Sequence, residues 1–440
     1  MTAAPGWLCS LGYALFFFAF GSLHTGIKAL PVSMQDSVPA IPFYPMHNEN
    51  DLDVLIKAIG DSRVVLLGGS THGTHEFYQC WSAITKKLIE EKGFDIICVE
   101  GDWDDSYKVN RFIKGQKQSS AHVIELLKQY DRWPAAMWAN YETAALVQWL
   151  NGYNQALPGK DKIGFYGLDV YSFWEWTDQK LPLQYNSLQN AVTRVRDSFA
   201  LYDNDAGKYT EAVRRTNVNY SAITEDLWSA IQKGIEQEPT DEAGFIIQQQ
   251  ALLALEAERY FRTVVTDKVD AWNIRENYMS ITIERLLNFY GSNSKAVIWV
   301  HNTHAGDAQY SQMAGADSSI GGILKNEMGD NKVFSIGFGT NKGTVLAAYH
   351  WNAPLQEIEI PPARKGSWQN ILHELSPGDK IILSRELENN KLWNEWIDFR
   401  SIGAVYSGKD FYGTTIIPQR FDAFVYIDST TALRPLTKGY

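Results

Sequence analysis

Four stretches of this sequence carry residues able to do acid–base chemistry, and each follows a short apolar run. Arg63-Val-Val-Leu-Leu67 leads through Gly68-Gly69 into Ser70-Thr-His72-Gly-Thr-His75-Glu76. Asp95-Ile-Ile-Cys-Val99 leads to Glu100, with Asp102, Trp103, Asp104 and Asp105 behind it. Ile163-Gly-Phe-Tyr-Gly167 leads to Asp169, and Ala296-Val-Ile-Trp-Val300 to His301-Asn-Thr-His304. The chain has 9 histidines, and four of them fall in two of these stretches. Imidazole titrates near neutral pH, so His72 can act as a general base toward water. Glu100 can orient that base or stabilise its charged form. His301 and His304 can donate to a developing oxyanion or, with His72 and Glu100, hold a zinc-like ion. His-x-x-His on a loop is a weak metal motif, which leaves a divalent metal open. Ser70 lies in a turn without a Gly-x-Ser-x-Gly elbow, and neither a P-loop nor a dinucleotide fingerprint is present.

The elements that must position these groups read as a parallel α/β arrangement. Short apolar runs bounded by glycine predict buried strands at Arg63–Leu67, Asp95–Val99, Ile163–Gly167 and Ala296–Val300. Helices are expected at Asp51–Ile59, His75–Glu91 and Asn140–Tyr153 between them. Further strands are expected at Val333–Gly337, Thr344–Ala348, Ile381–Leu383 and Phe424–Ile427. Residues 183–290 show helical periodicity and read as a helical insertion. The expected fold is therefore a mainly parallel central sheet covered by helices, with a large helical insertion. Ligands of such sheets bind beyond the carboxyl ends of the strands, where all four polar stretches fall.

Composition narrows the function classes. A net charge of −11 argues against general nucleic-acid binding, because phosphate backbones are repelled. The 15 Trp and 22 Tyr are core fillers that can also line a site for a bulky organic ligand. Three cysteines are too few for a disulfide scaffold, and Cys80 and Cys98 read as buried thiols. Trp7 to Phe20 is apolar and short for a membrane span, with small residues from Ser22 to Ala29 behind it. Residues 1–29 therefore read as a signal peptide, which implies an exported protein, periplasmic or extracellular, with no stable membrane span after cleavage.

Several motifs in order resemble one family. Gly68-Gly-Ser-Thr-His-Gly-Thr-His-Glu-Phe-Tyr78, Val99-Glu-Gly-Asp-Trp103, Met137-Trp-Ala-Asn140, Phe165-Tyr-Gly-Leu-Asp-Val-Tyr171, Val300-His-Asn-Thr-His304 and the ending Phe421–Asp428 with Leu433-Arg-Pro-Leu436 are similar to those of the erythromycin esterases. The resemblance spans roughly residues 45 to 438, within a domain covering 30–440. It implies hydrolysis of a macrolide lactone or other bulky ester by water, without a covalent enzyme intermediate and with no required cofactor. His72 falls on the family's general base, Glu100 on its supporting glutamate, and His301 and His304 on its later site histidines. The motifs also offer His75, Trp103, Trp138, Asn140, Asp169 and Tyr171 as substrate-binding candidates.

The chain departs from the family pattern at four positions. Gly69 stands where a glutamate precedes the general base, and Trp81 where an arginine follows it. Ala139 replaces an arginine between Trp138 and Asn140, and Tyr278 replaces a histidine. Joint loss of the glutamate and arginine leaves neither as an unpaired buried charge, so the site becomes more apolar. A catalytically impaired ligand-binding homologue and a metal-dependent hydrolase of another ester are the alternatives. Reversal of Gly69 to glutamate is expected to restore part of a lost activity, with Trp81→Arg as a second requirement.

Overall fold

The computed structural model describes residues 40–116, 122–172, 174, 180–203, 205–235, 239, 241–312, 318–408 and 411–437. The expected signal segment lies outside them. The strands are β1 (Tyr44–Pro45), β2 (Val64–Gly69), β3 (Ile96–Asp102), β4 (Gly164–Asp169), β5 (Ala296–His301), β6 (Val333–Ala347), β7 (Gln356–Ile360), β8 (Lys380–Leu383), β9 (Ile397–Arg400), β10 (Tyr412–Thr415) and β11 (Ala423–Thr430). The chain divides into two compact units, one of them residues 171–271 and the other built on the large sheet.

Among the described residues, β11, β6, β2, β5, β3 and β4 lie side by side in that order, all parallel. β8 joins β11 antiparallel, β1 joins β8, and β7 pairs antiparallel with the far half of β6. β2, β3, β4 and β5 are buried along their whole length, which suits uninterrupted apolar runs in a sheet covered on both faces. The two strands expected at Val333–Gly337 and Thr344–Ala348 are one 15-residue strand, β6. Val333–Ile336 pairs with β2 and Ile336–Gly343 with β11, while Gly343–Ala347 takes β7 as a partner, so pairing carries it through the polar interval.

From β2 the chain passes over β5 to β3, and from β5 it passes over β2 to β6. These opposite crossovers make the carboxyl ends of β2 and β5 the place where strand order reverses, the usual position of a ligand crevice. There Gly69 is in register with His301. The helix His75–Lys92 buries Phe77, Trp81, Ile84 and Leu88 and stops at Gly93, whose φ of 70° suits glycine. Those side chains share one core with Leu67, Val99, Trp299 and Phe338 from the strands.

The unit 171–271 holds the helices Gln189–Ala200, Ala206–Thr216, Ser221–Gly234 and Glu242–Thr263. Buried Glu258 ties them, accepting from the Tyr209 hydroxyl at 2.9 Å and the Tyr220 amide at 3.3 Å. Helical periodicity continues to Tyr290, but from Trp272 onward the helix Lys268–Tyr290 belongs to the sheet unit, so the compact helical unit ends earlier than its periodicity suggested. Among the described residues no helix is long and apolar enough to cross a membrane.

Candidate active site

His72 sits on the loop after β2, held by close backbone contact. Gly73 O accepts from the Leu346 and Leu433 amides, each at 2.9 Å. A Cβ at Gly73 would lie 1.9 Å from Leu346 O, so only glycine fits there. The His72 ring lies 4.8 Å from that of His301, centroid to centroid. Beside it lies a small apolar recess lined by His72 with Pro134, Ala136, Met137, Leu346, Leu355, Ala404 and Leu433. Burial lowers the His72 pKa, partly offset by the Glu100 carboxylate, so the ring is a neutral base at physiological pH.

Behind the two rings lies a buried ionic cluster. Arg275, on the helix Lys268–Tyr290, donates from Nε to Asp169 Oδ1 at 2.9 Å and from Nη2 to Asp169 Oδ2 at 2.8 Å. Nη2 also reaches Glu100 Oε1 at 3.0 Å. His304 places Nε2 3.1 Å from Glu100 Oε1 and Nδ1 2.5 Å from Glu276 Oε1, and its ring stacks on Trp272 at 4.8 Å. The remaining Glu100 oxygen accepts from the His301 amide at 2.9 Å. Burial alone would raise Glu100, but His304, then His72 and Arg275, hold it well below the usual carboxylate range. Burial and Arg275 oppose protonation of His304, yet Glu100 and Glu276 raise it to about 9. Glu100 is therefore a fixed negative charge beside two neutral rings and one imidazolium. For His301, burial and then His72 push the pKa well below its ordinary value.

The other candidates have different surroundings. Trp138 is buried and donates from Nε1 to the Glu100 carbonyl at 3.0 Å, bracing that strand from behind. Asn140 caps the helix Tyr141–Gln155 and donates to the carbonyls of Ala136 and Met137, which fixes the turn lining the cavity. Asp169 is taken up by Arg275. Trp103 is fully buried and stacks on Tyr166 at 5.5 Å. His75 pairs with Glu142 at 2.5 Å, on an oxygen that Arg434 shares. Tyr171 falls in the helical unit, where its hydroxyl meets that of Tyr260 at 3.4 Å. Cys80 and Cys98 are free thiols.

Arg275 and Glu276 were not legible as site residues, although one signal existed. Ala271, Arg275, Met279 and Ile283 form an i, i+4 row that is buried throughout, so a charge interrupts an apolar stripe.

The family model described as erythromycin esterase matches residues 89–430. The chain belongs to the erythromycin esterase family. A 133-residue segment is 32% identical to an Escherichia coli erythromycin esterase type II; it covers 30% of this chain and 29% of that protein. The fold resembles that of a succinoglycan biosynthesis protein, with a TM-score of 0.74 and 21% identity over 89% of this chain and 95% of the other. A Bacillus cereus protein gives 0.74 and 17% over 89% and 96%. A mutant of erythromycin esterase EreC in its open conformation gives 0.59 and 14% over 88% and 95%.

The turn before His72 is tightly packed. Trp81 fills the space at Gly69: a Cβ there would sit 3.0 Å from the indole and 2.9 Å from Thr71 O. The indole is buried among Tyr78, Trp299 and Phe338. Gly69 and Trp81 thus form one apolar block, and a glutamate side chain has no room at position 69 while Trp81 stands. Ala139 and Tyr278 are both buried. A divalent cation does not fit the residues present. Both Glu100 oxygens and both His304 nitrogens are engaged, and the Arg275 guanidinium already brings positive charge to the carboxylates. Among the described residues no group of three or more His, Cys, Asp and Glu is arranged to hold an ion.

Proposed function

We propose that this protein hydrolyses a carboxylic ester, a macrolide lactone or another bulky ester, using water activated by His72. The observation that carries the reading is a neutral buried imidazole opening on an apolar cavity, with the fixed charge of Glu100 behind it. His72 takes a proton from water as the oxygen adds to the ester carbonyl carbon. Glu100 stabilises the imidazolium so formed. Collapse of the tetrahedral adduct breaks the bond to the alkoxy oxygen, which takes the proton back from His72. The products are the free acid and alcohol. The apolar lining favours a substrate whose group beside the scissile carbonyl is hydrocarbon rather than hydroxylated. Family membership supports the same reaction class. The apolar run Trp7–Phe20 supports action after export, in the periplasm or outside the cell.

The test is hydrolysis of macrolides and p-nitrophenyl esters by purified protein. His72→Ala is expected to lower kcat/KM by about 10²–10⁴-fold, the usual worth of a general base. Turnover by His72→Ala equal to that of wild type rejects the mechanism. The apolar block at Gly69 and Trp81 favours a second reading, a binding protein without turnover. Tight binding of a macrolide recovered unchanged would support it.

A further inference from the structure

We propose that Ser401 is a hydrogen-bond donor to the carbonyl oxygen of the ester reacting at His72, and not a nucleophile. The proposal rests on the hydrolytic reading above and adds a residue to the same site. Ser401 follows β9 and lies against the loop that carries His72. The Ile402 amide donates to Ser70 O at 2.6 Å, and Ile402 forms a parallel bridge with Thr71. The Ser401 hydroxyl oxygen is 3.2 Å from His301 Nε2.

The direction of that last bond decides the role of the serine. The Thr303 backbone N–H can only donate, and it donates to His301 Nδ1 at 3.3 Å, while the Thr303 hydroxyl, 2.9 Å from the same nitrogen, can donate to it as well. Nδ1 therefore presents its lone pair, and the single hydrogen of the neutral ring sits on Nε2. Burial and the adjacent His72 keep that ring neutral. Nε2–H then donates to Ser401 Oγ, so His301 cannot accept the serine proton and cannot activate it as a nucleophile. The hydroxyl hydrogen of Ser401 has no other partner among the described residues, and the side chain is only half-buried. A chain of donors runs from the Thr303 amide through His301 to Ser401, each polarising the next. When water held by His72 adds to the carbonyl carbon, the π electron pair moves onto the carbonyl oxygen. The Ser401 hydroxyl then meets the charge that develops there.

The experiment compares wild type, Ser401→Ala and Ser401→Thr in three assays: p-nitrophenyl ester hydrolysis, calorimetric binding of an alkyl phosphonate monoester as a tetrahedral anion, and intact-mass labelling by a fluorophosphonate. Ser401→Ala is expected to lower kcat by about 10²–10³-fold with little change in KM, the signature of a donor used in the transition state. It is also expected to weaken phosphonate binding by about tenfold or more, while Ser401→Thr keeps most of both. No fluorophosphonate adduct forms on Ser401. Wild-type kcat and phosphonate affinity in Ser401→Ala, failure of Ser401→Thr to preserve them, or an adduct on Ser401 each overturns the proposal. If wild type hydrolyses no ester but binds phosphonate through Ser401, the hydrolytic reading fails while the donor role stands. If wild type neither hydrolyses nor binds, both fall.

Discussion

Arg275 neutralises two carboxylates at once. Its planar fork meets Asp169 through two nitrogens and Glu100 through one of the same pair, with side chains at most 3% exposed. Burying such carboxylates without a cation is costly, and a lysine could not supply the same parallel donors. Arg275→Met keeps the volume but leaves Glu100 to His304 and Asp169 to Arg132 at 3.9 Å, and is expected to cost about 3 kcal/mol in urea unfolding. Arg275→Lys should fall between it and wild type. If Arg275→Met is as stable as wild type, the cluster is not held by this cation. The same logic explains why Glu100 stays ionised beside His72, since its charge is set by partners behind it.

Where β2 meets the helix His75–Lys92, two residues distant along the chain are coupled. Trp81 lies on the buried face of that helix and rests over Gly69 at the end of the strand. Each residue makes the other tolerable, because a side chain at 69 meets the indole and an arginine at 81 would have no acid to pair with. Gly69→Glu alone is therefore expected to destabilise by about 1–3 kcal/mol through overpacking and to restore no activity. Gly69→Glu combined with Trp81→Arg should recover much of that loss, the two changes being non-additive. Thermal melts of the two single variants and the double variant measure this directly. Additive losses would show that the two positions do not communicate.

Across the whole molecule the site draws on β2, β3, β4, β5 and the helix Lys268–Tyr290, so its ionisation is coupled to folding. An unfolded imidazole titrates at about 6.5, whereas His304 in the fold is raised to about 9. The fold binds that proton more tightly, so this stabilisation is complete below about 6.5 and lost as pH rises through about 9. Glu100 acts in the opposite sense: its stabilisation is present above the unfolded carboxylate value of about 4.3 and fades as pH falls. The difference in urea midpoint between wild type and His304→Gln should accordingly narrow from about pH 6.5 to about pH 9.5. A difference constant over that range would exclude the raised pKa. Ester hydrolysis should persist below the ordinary imidazole range, because burial lowers His72, and decline near pH 9 as His304 loses its charge.

Apolar runs ending in histidine or acid were enough to foretell β2, β3, β4 and β5 and the meeting of His72, Glu100, His301 and His304, since fully buried parallel strands read as unbroken hydrophobic stretches whose ends share one edge. Asp169 was legible for the same reason. The joining of β6, the edge strand β7 and the β9–β10 pair were not, because their pairing depends on neighbours remote in the chain. Arg275, Glu276 and Ser401 were hidden for a related reason: a charge on a long helix or a serine after a short strand carries no local mark of what it will face. The amino-acid order determined which chemistry could assemble at the sheet edge. Only packing decided which groups became fixed charges, which ring nitrogen faces which partner, and that an indole rests over Gly69, because each depends on distances set by several elements at once.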